Sequence, residues 1–171
     1  MPFPWLAGQR ITAERLMESA PVYVQKTELQ ARTSTGTPTA DPDLRITLDP
    51  GTYDIELEFG YAGTAGSGGV RTNWSVDSGV VAISGIRFTR GTGADATGRN
   101  SDPGRHTANG LATEAVYGLT SGSGQRGWGS ERWRALVTAR GEIRFCWAQK
   151  TSNAAESWVA PESFLKVTRT G

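Results

Sequence analysis

Over residues 44–59, apolar and polar residues take turns along the chain. Leu44, Ile46 and Leu48 alternate with Arg45 and Thr47; after Asp49-Pro50-Gly51 the pattern resumes, with Tyr53, Ile55, Leu57 and Phe59 alternating with Asp54, Glu56 and Glu58. Successive side chains of an extended strand point to opposite faces, so a period of two describes strands with one face on a core and the other in water. Pro followed by Gly is the order a type II turn prefers, which sets a turn between the two runs.

The same period returns near the C-terminus. In 142–149, Ile143, Phe145 and Trp147 point one way and Glu142, Arg144 and Cys146 the other; in 132–138, Trp133, Ala135 and Val137 share a face. Ala139-Arg140-Gly141 is short enough to join these two as a hairpin. A last strand is expected over 163–169, with Leu165 and Val167 opposite Phe164. Further strands are expected over 22–29, 70–77, 80–90 (bent at Gly85) and 115–120, separated by loops at 32–43, 60–69, 91–110 and 121–130. Eight or nine short strands, long loops, 22 glycines and almost no helix point to one all-β domain, a β-sandwich or barrel. The two longest loops suggest the sheet crossings of a jelly roll.

The N-terminus has a different character. Residues 12–19 read as a short helix, with Thr12 as N-cap, Glu14 in the first turn, Ile11 and Leu16 placed as a staple, and Pro21 as the stop. So short a helix is unstable alone. The chain therefore divides into a docking segment at 1–21, whose contact residues are Phe3, Trp5, Ile11, Leu16 and Met17, and a β-sandwich domain at 22–171. An N-terminal helix packed on its own domain is the competing reading.

Charge narrows the function classes. The net charge is +1, which argues against a dedicated nucleic-acid or membrane-surface binder. It is unevenly spread: residues 1–86 carry 6 basic and 10 acidic residues (−4), and residues 87–171 carry 12 and 7 (+5). Such halves can pair within one chain or between subunits. One cysteine, Cys146, rules out an internal disulfide, and with His106 as the one histidine a Cys/His zinc site cannot form in one chain. No apolar run approaches the roughly 20 residues of a membrane span, and the first residues lack the pattern of a signal peptide. The expectation is a soluble protein made in the cytoplasm.

Catalytic patterns are few. Gly122-Ser123-Gly124-Gln125-Arg126-Gly127 has dinucleotide-loop spacing, but a strand pattern follows where that motif needs a helix, so no cofactor is expected. His106 lies in a stretch expected to be an exposed loop. Asp54, Glu56 and Glu58 share a strand face, the usual arrangement of a salt-bridged surface, with Arg132, Arg134 and Arg144 as candidate partners. Aromatic side chains are more suggestive, because exposed ones stack on sugars. Trp128, between two glycines, is the leading candidate for a ligand or subunit contact, followed by Trp74 and His106. Trp133 and Trp147 fall on core faces.

Two passages carry a resemblance. Residues 3–16, with Trp5-Leu6-Ala7-Gly8 leading into Ile11-Thr12-Ala13, resemble the opening of small virion proteins of actinobacterial phages. Residues 145–152, with Trp147-Ala148-Gln149-Lys150-Thr151-Ser152, and the Ser163-Phe164-Leu165-Lys166-Val167-Thr168-Arg169 strand are similar to the C-terminal strands of those proteins, although Pro161-Glu162 stands where they usually have Ala-Gly. Residues 44–59 also resemble part of the trimeric jelly rolls of the tumour-necrosis-factor and C1q type. The resemblance implies a homotrimer and a non-enzymatic structural role in the virion, assembled in the host cytoplasm. It would be a minor tail or fibre-tip protein binding a host-surface glycan or, alternatively, a capsid decoration protein anchored to other virion proteins through its N-terminal segment. A polysaccharide-degrading enzyme is the reading from another class.

Overall fold

The computed structural model describes residues 10, 12–13, 20–63, 69–83, 87–92, 103–118 and 126–171, with the backbone alone for 91, 92 and 103–107. Beyond Ala13 the expected 12–19 helix lies outside the described residues, as do Phe3, Trp5, Ile11, Leu16 and Met17. Thirteen strands are described: β1 (Val22–Gln25), β2 (Gln30–Arg32), β3 (Thr39–Leu48), β4 (Gly51–Gly63), β5 (Gly69–Val76), β6 (Val80–Ala82), β7 (Arg87–Thr92), β8 (Pro103–Asn109), β9 (Ala115–Gly118), β10 (Gly127–Val137), β11 (Gly141–Gln149), β12 (Ser157–Val159) and β13 (Phe164–Arg169).

They form two antiparallel sheets packed as a β-sandwich. The larger runs β1-β13-β4-β10-β7-β8, with β6 also on β10, β12 on β4 and β2 on β12; the smaller runs β3-β11-β5-β9. Inward residues of β4, β10 and β13 meet those of β3, β5, β9 and β11 in one core. Aromatic rings bridge the sheets: Trp74 of β5 meets Trp133 of β10 edge-on at 5.4 Å, and Phe59 of β4 lies 5.2 Å from Phe145 of β11 and 5.1 Å from Tyr117 of β9. Ile55, Leu57, Ile143 and Leu165 are almost completely buried, each worth about 1.5–3 kcal/mol in transfer from water.

The expected faces agree with the burial, while several expected connections do not. β10 and β11 are no hairpin: β10 pairs with β4, β6 and β7, and β11 with β3 and β5. The three residues between them cross from one sheet to the other, as do those between β3 and β4. The single bent strand expected at 80–90 is two, β6 and β7, both on β10. The 91–110 loop contains β8, which pairs with β7 and places His106 opposite Arg90 in a strand. The 32–43 loop gives way to β3 at Thr39, and the 121–130 loop to β10 at Gly127. Cys146, expected on the solvent face, is buried, because β11 is covered on both sides over 145–149.

Two ionic groups lie inside the sandwich. Glu131 of β10 accepts hydrogen bonds from Thr72 Oγ1, from Trp74 Nε1 (2.6 Å), from Tyr117 OH (2.9 Å) and from Arg87 Nη1. Arg87 also donates to the carbonyls of Thr72 (2.9 Å) and Thr113 (2.6 Å). Four side-chain donors on one carboxylate give that buried charge the pairing its desolvation demands. Burial first, and then Glu131, push the Tyr117 hydroxyl well above the usual tyrosine range. The second group joins Lys26, just past β1, to Asp41 and Asp43 of β3.

Candidate interaction face

The outward face of the larger sheet is set by the same alternation that builds the core. With Tyr53, Ile55, Leu57 and Phe59 turned in, β4 presents Asp54, Glu56 and Glu58 outward. The register sets Lys166 and Arg132 on either side of Glu56, and Thr168 and Arg134 on either side of Asp54. The result is a ladder of cross-strand ion pairs: Lys166 Nζ to Glu56 at 2.9 Å, Arg132 to Glu56 at 3.4 Å and to Asp54 at 3.6 Å, and Arg134 to Asp54 at 3.1 Å. The hydrogen bond to Glu56, reinforced by its charge, raises the Lys166 ammonium above the usual lysine range. Arg144, the third expected partner, lies in the other sheet and pairs with Asp77 and Glu142. Part of the charge asymmetry between the halves of the chain is thus spent within one molecule.

Around this ladder the face is apolar. Tyr23, Val81, Ile83, Phe88, Trp128 and Leu136 are all exposed and stand on outward positions of β1, β6, β7 and β10 or, for Ile83, just past β6 opposite Arg134. Tyr23 packs on Phe164 of the neighbouring strand at 6.0 Å. Aromatic and arginine side chains together are the composition in which interfaces differ from ordinary surface.

One end of the face is the most differentiated. Gly127 and Gly129 point inward, where a Cβ would sit 2.3 Å from the Tyr61 ring and 2.4 Å from that of Phe59, so only glycine lets those rings pass beneath β10. Trp128 between them is forced outward, 44% exposed. Its indole lies over Gly60, and Nε1 donates to Glu58 Oε2 at 2.6 Å, which fixes the ring as a flat shelf. Across β4, Arg126 reaches over the half-buried Trp158 ring at 5.3 Å while pairing with Glu162. Two indoles, a guanidinium and two carboxylates grouped in this way can stack on the apolar face of a sugar ring and bond its hydroxyls.

Of the residues singled out in the sequence, Trp128 thus holds an exposed position, though in a strand and not in a loop. Trp74 does not: it is 3% exposed, its indole N–H is used by Glu131, and it belongs to the core. His106 stands on the outer strand β8, opposite Arg90, which pairs in turn with Ser130 of β10, two residues from Trp128. Arg126, Glu58 and Glu162 are companions of the tryptophans that the sequence does not announce. They come from residues 36 and 70 positions apart, so no local pattern marks them. Among the described residues no three His, Cys, Asp or Glu side chains are grouped to hold a metal ion. The chain matches no protein-family model and no curated protein.

Proposed function

We propose that this chain is a non-enzymatic structural protein of a phage particle, a homotrimer of jelly-roll domains that uses the Trp128 end of its larger sheet to attach to a host-surface glycan. The observation that carries the reading is the fixed, exposed Trp128 indole beside Glu58, with Trp158 and Arg126 next to it. Carbohydrate sites are built from such rigid aromatic shelves edged by hydrogen-bonding groups. The apolar and aromatic remainder of the face supplies surface for subunit contacts. Asp54, Glu56 and Glu58, which a polysaccharide-cleaving reading would need, are each committed to a cation or an indole on an open sheet face. Glycosidic cleavage by contrast needs two carboxyls in differentiated environments.

The test is a cryo-electron-microscopy map of the particle combined with adsorption of particles carrying Trp128→Ala. Trimers at the tail tip with Trp128 facing outward, and adsorption reduced tenfold or more by the substitution, support the reading. Trimers on the capsid with the 1–21 segment against the shell would replace it with a decoration role. Absence of the chain from the particle would end both.

A further inference from the structure

Lys26 and Asp41 are among the most deeply buried ionisable side chains in the molecule, 1% and 0% exposed. Lys26 Nζ stands 3.0 Å from Asp41 Oδ1 and 3.0 Å from Oδ2. An atom equidistant from both oxygens at that range is at most about 3.4 Å from the carboxyl carbon, within the separation of a near-attack arrangement. A second carboxylate is at hand: Asp43 Oδ2 is 3.3 Å from the same nitrogen. The Asp41 carboxyl is itself held by donors, with the backbone N–H groups of Asp43 (3.0 Å) and Leu44 (3.2 Å) on Oδ1 and Trp147 Nε1–H (3.0 Å) on Oδ2. A plain ion pair needs no second carboxylate beside the lysine and no pair of backbone donors converging on one carboxyl oxygen. Those are the parts an acyl transfer requires.

We propose that Lys26 and Asp41 condense to an intramolecular isopeptide bond, with Asp43 as the proton carrier. Passage of one proton from Nζ to Oδ2 turns the pair into a neutral amine and a neutral acid, which removes two charges from a dry site. The amine attacks Cγ, and the Nζ–Cγ bond forms as negative charge collects on Oδ1, where the Asp43 and Leu44 N–H groups receive it. Asp43 takes the surplus proton from the nitrogen and delivers it to the Oδ2 hydroxyl. The Cγ–Oδ2 bond breaks, one water leaves, and Asp43 is again a carboxylate. Amine and acid become amide and water, with no oxidant, reductant or activating group consumed.

The position gives the bond a consequence. Lys26 follows β1 of the larger sheet, held there by its N–H on the Ser163 carbonyl at 2.8 Å. Asp41 lies in β3 of the smaller sheet, where pairing with β11 is irregular between Ala40 and Arg45. The amide would tie one sheet to the other through a side-chain bridge closing a loop of 15 residues, so the sandwich could not open along that edge without breaking a covalent bond.

The experiment is the intact mass of the purified full chain, followed by tryptic peptide mapping. Expected is a mass one water below that of the sequence, and a branched peptide in which residues 16–32, uncut after Lys26, are joined to residues 33–45. Asp43→Asn, which keeps the size of the side chain, should restore the full mass in a folded protein. Lys26→Met should do so whether or not it folds well. A wild-type chain at full sequence mass after prolonged incubation, or a lost water mapped to another residue, overturns the proposal; complete bond formation in Asp43→Asn overturns the part given to Asp43.

Discussion

Replacing Glu131 with Ala removes the acceptor of four hydrogen bonds at once. The heaviest consequence falls on Arg87, completely buried and left with no charged partner, only the Thr72 hydroxyl oxygen and backbone carbonyls such as those of Thr72 and Thr113. Breaking a buried pair by deleting one partner costs about 3–5 kcal/mol. The hydroxyls of Thr72 and Tyr117 and the indole N–H of Trp74 lose their acceptor too, at about 1–3 kcal/mol for each group that finds no other. These losses share one site and do not add, so about 3 kcal/mol is the floor. For a chain of this size that lowers Tm by about 6 °C or more, at about 2–4 °C per kcal/mol. The assay is urea unfolding of the wild type, Glu131→Ala, Arg87→Met and a doubly substituted chain carrying both Arg87→Met and Glu131→Ala. With both charges gone, the double variant should be more stable than the sum of the two singles by about 1–3 kcal/mol. A loss below about 1 kcal/mol in Glu131→Ala, or strict additivity in the double, would refute the view that the pair is dry and coupled.

The same cluster makes stability fall in alkali. Above the ordinary tyrosine value of 10.0 the unfolded chain gives up the Tyr117 proton while the native state keeps it, so unfolding gains ground as pH rises; Tyr53, also raised by burial, adds to the slope. Urea midpoints measured from pH 8 to 11 should decline above pH 10, and Tyr117→Phe should flatten that decline. Gly129→Ala should cost about 1–3 kcal/mol by overpacking, since its Cβ would meet the Phe59 ring at 2.4 Å; a thermal melt with unchanged Tm would show that the ring moves freely. Burial raises the Cys146 thiol above its usual range, so a thiol-reactive chromophore should label the native protein far more slowly than the urea-unfolded one.

The strand faces were readable because they depend on short-range geometry. At Tyr53, Ile55, Leu57 and Phe59, and again at Ile143, Phe145 and Trp147, each inward assignment agrees with burial, since a pleated strand can present its residues only alternately. The outward turn of Asp54 and Glu56 follows for the same reason, whereas which arginines meet them depends on the neighbouring strand: Arg132 and Arg134 do, and Arg144, in the other sheet, does not. Trp128 was picked out by its flanking glycines, although their purpose, to let two rings pass beneath, is visible only with β4 alongside. Trp74, between polar neighbours, carries no local sign of burial, because the group that satisfies its N–H, Glu131, comes from a strand 57 residues away. The stretch around His106 looked like a loop because its glycine, proline and polar residues carry no alternation, and backbone pairing to β7 supplied what the side chains did not.

The sequence by itself determined that the described body of the chain is built from strands, which side of each main strand faces the core, and where the short turns at 49–50 and 138–140 fall. These follow from sterics acting over two or three residues. Only the tertiary structure decided which strand lies beside which, for a three-residue connection serves a hairpin or a crossing between sheets equally well. β10 and β11 took the crossing, because only there could both of their apolar faces meet across one core. The same long-range choice brought Arg87 to Glu131 and Lys26 to Asp41, pairings that no local pattern of residues encodes.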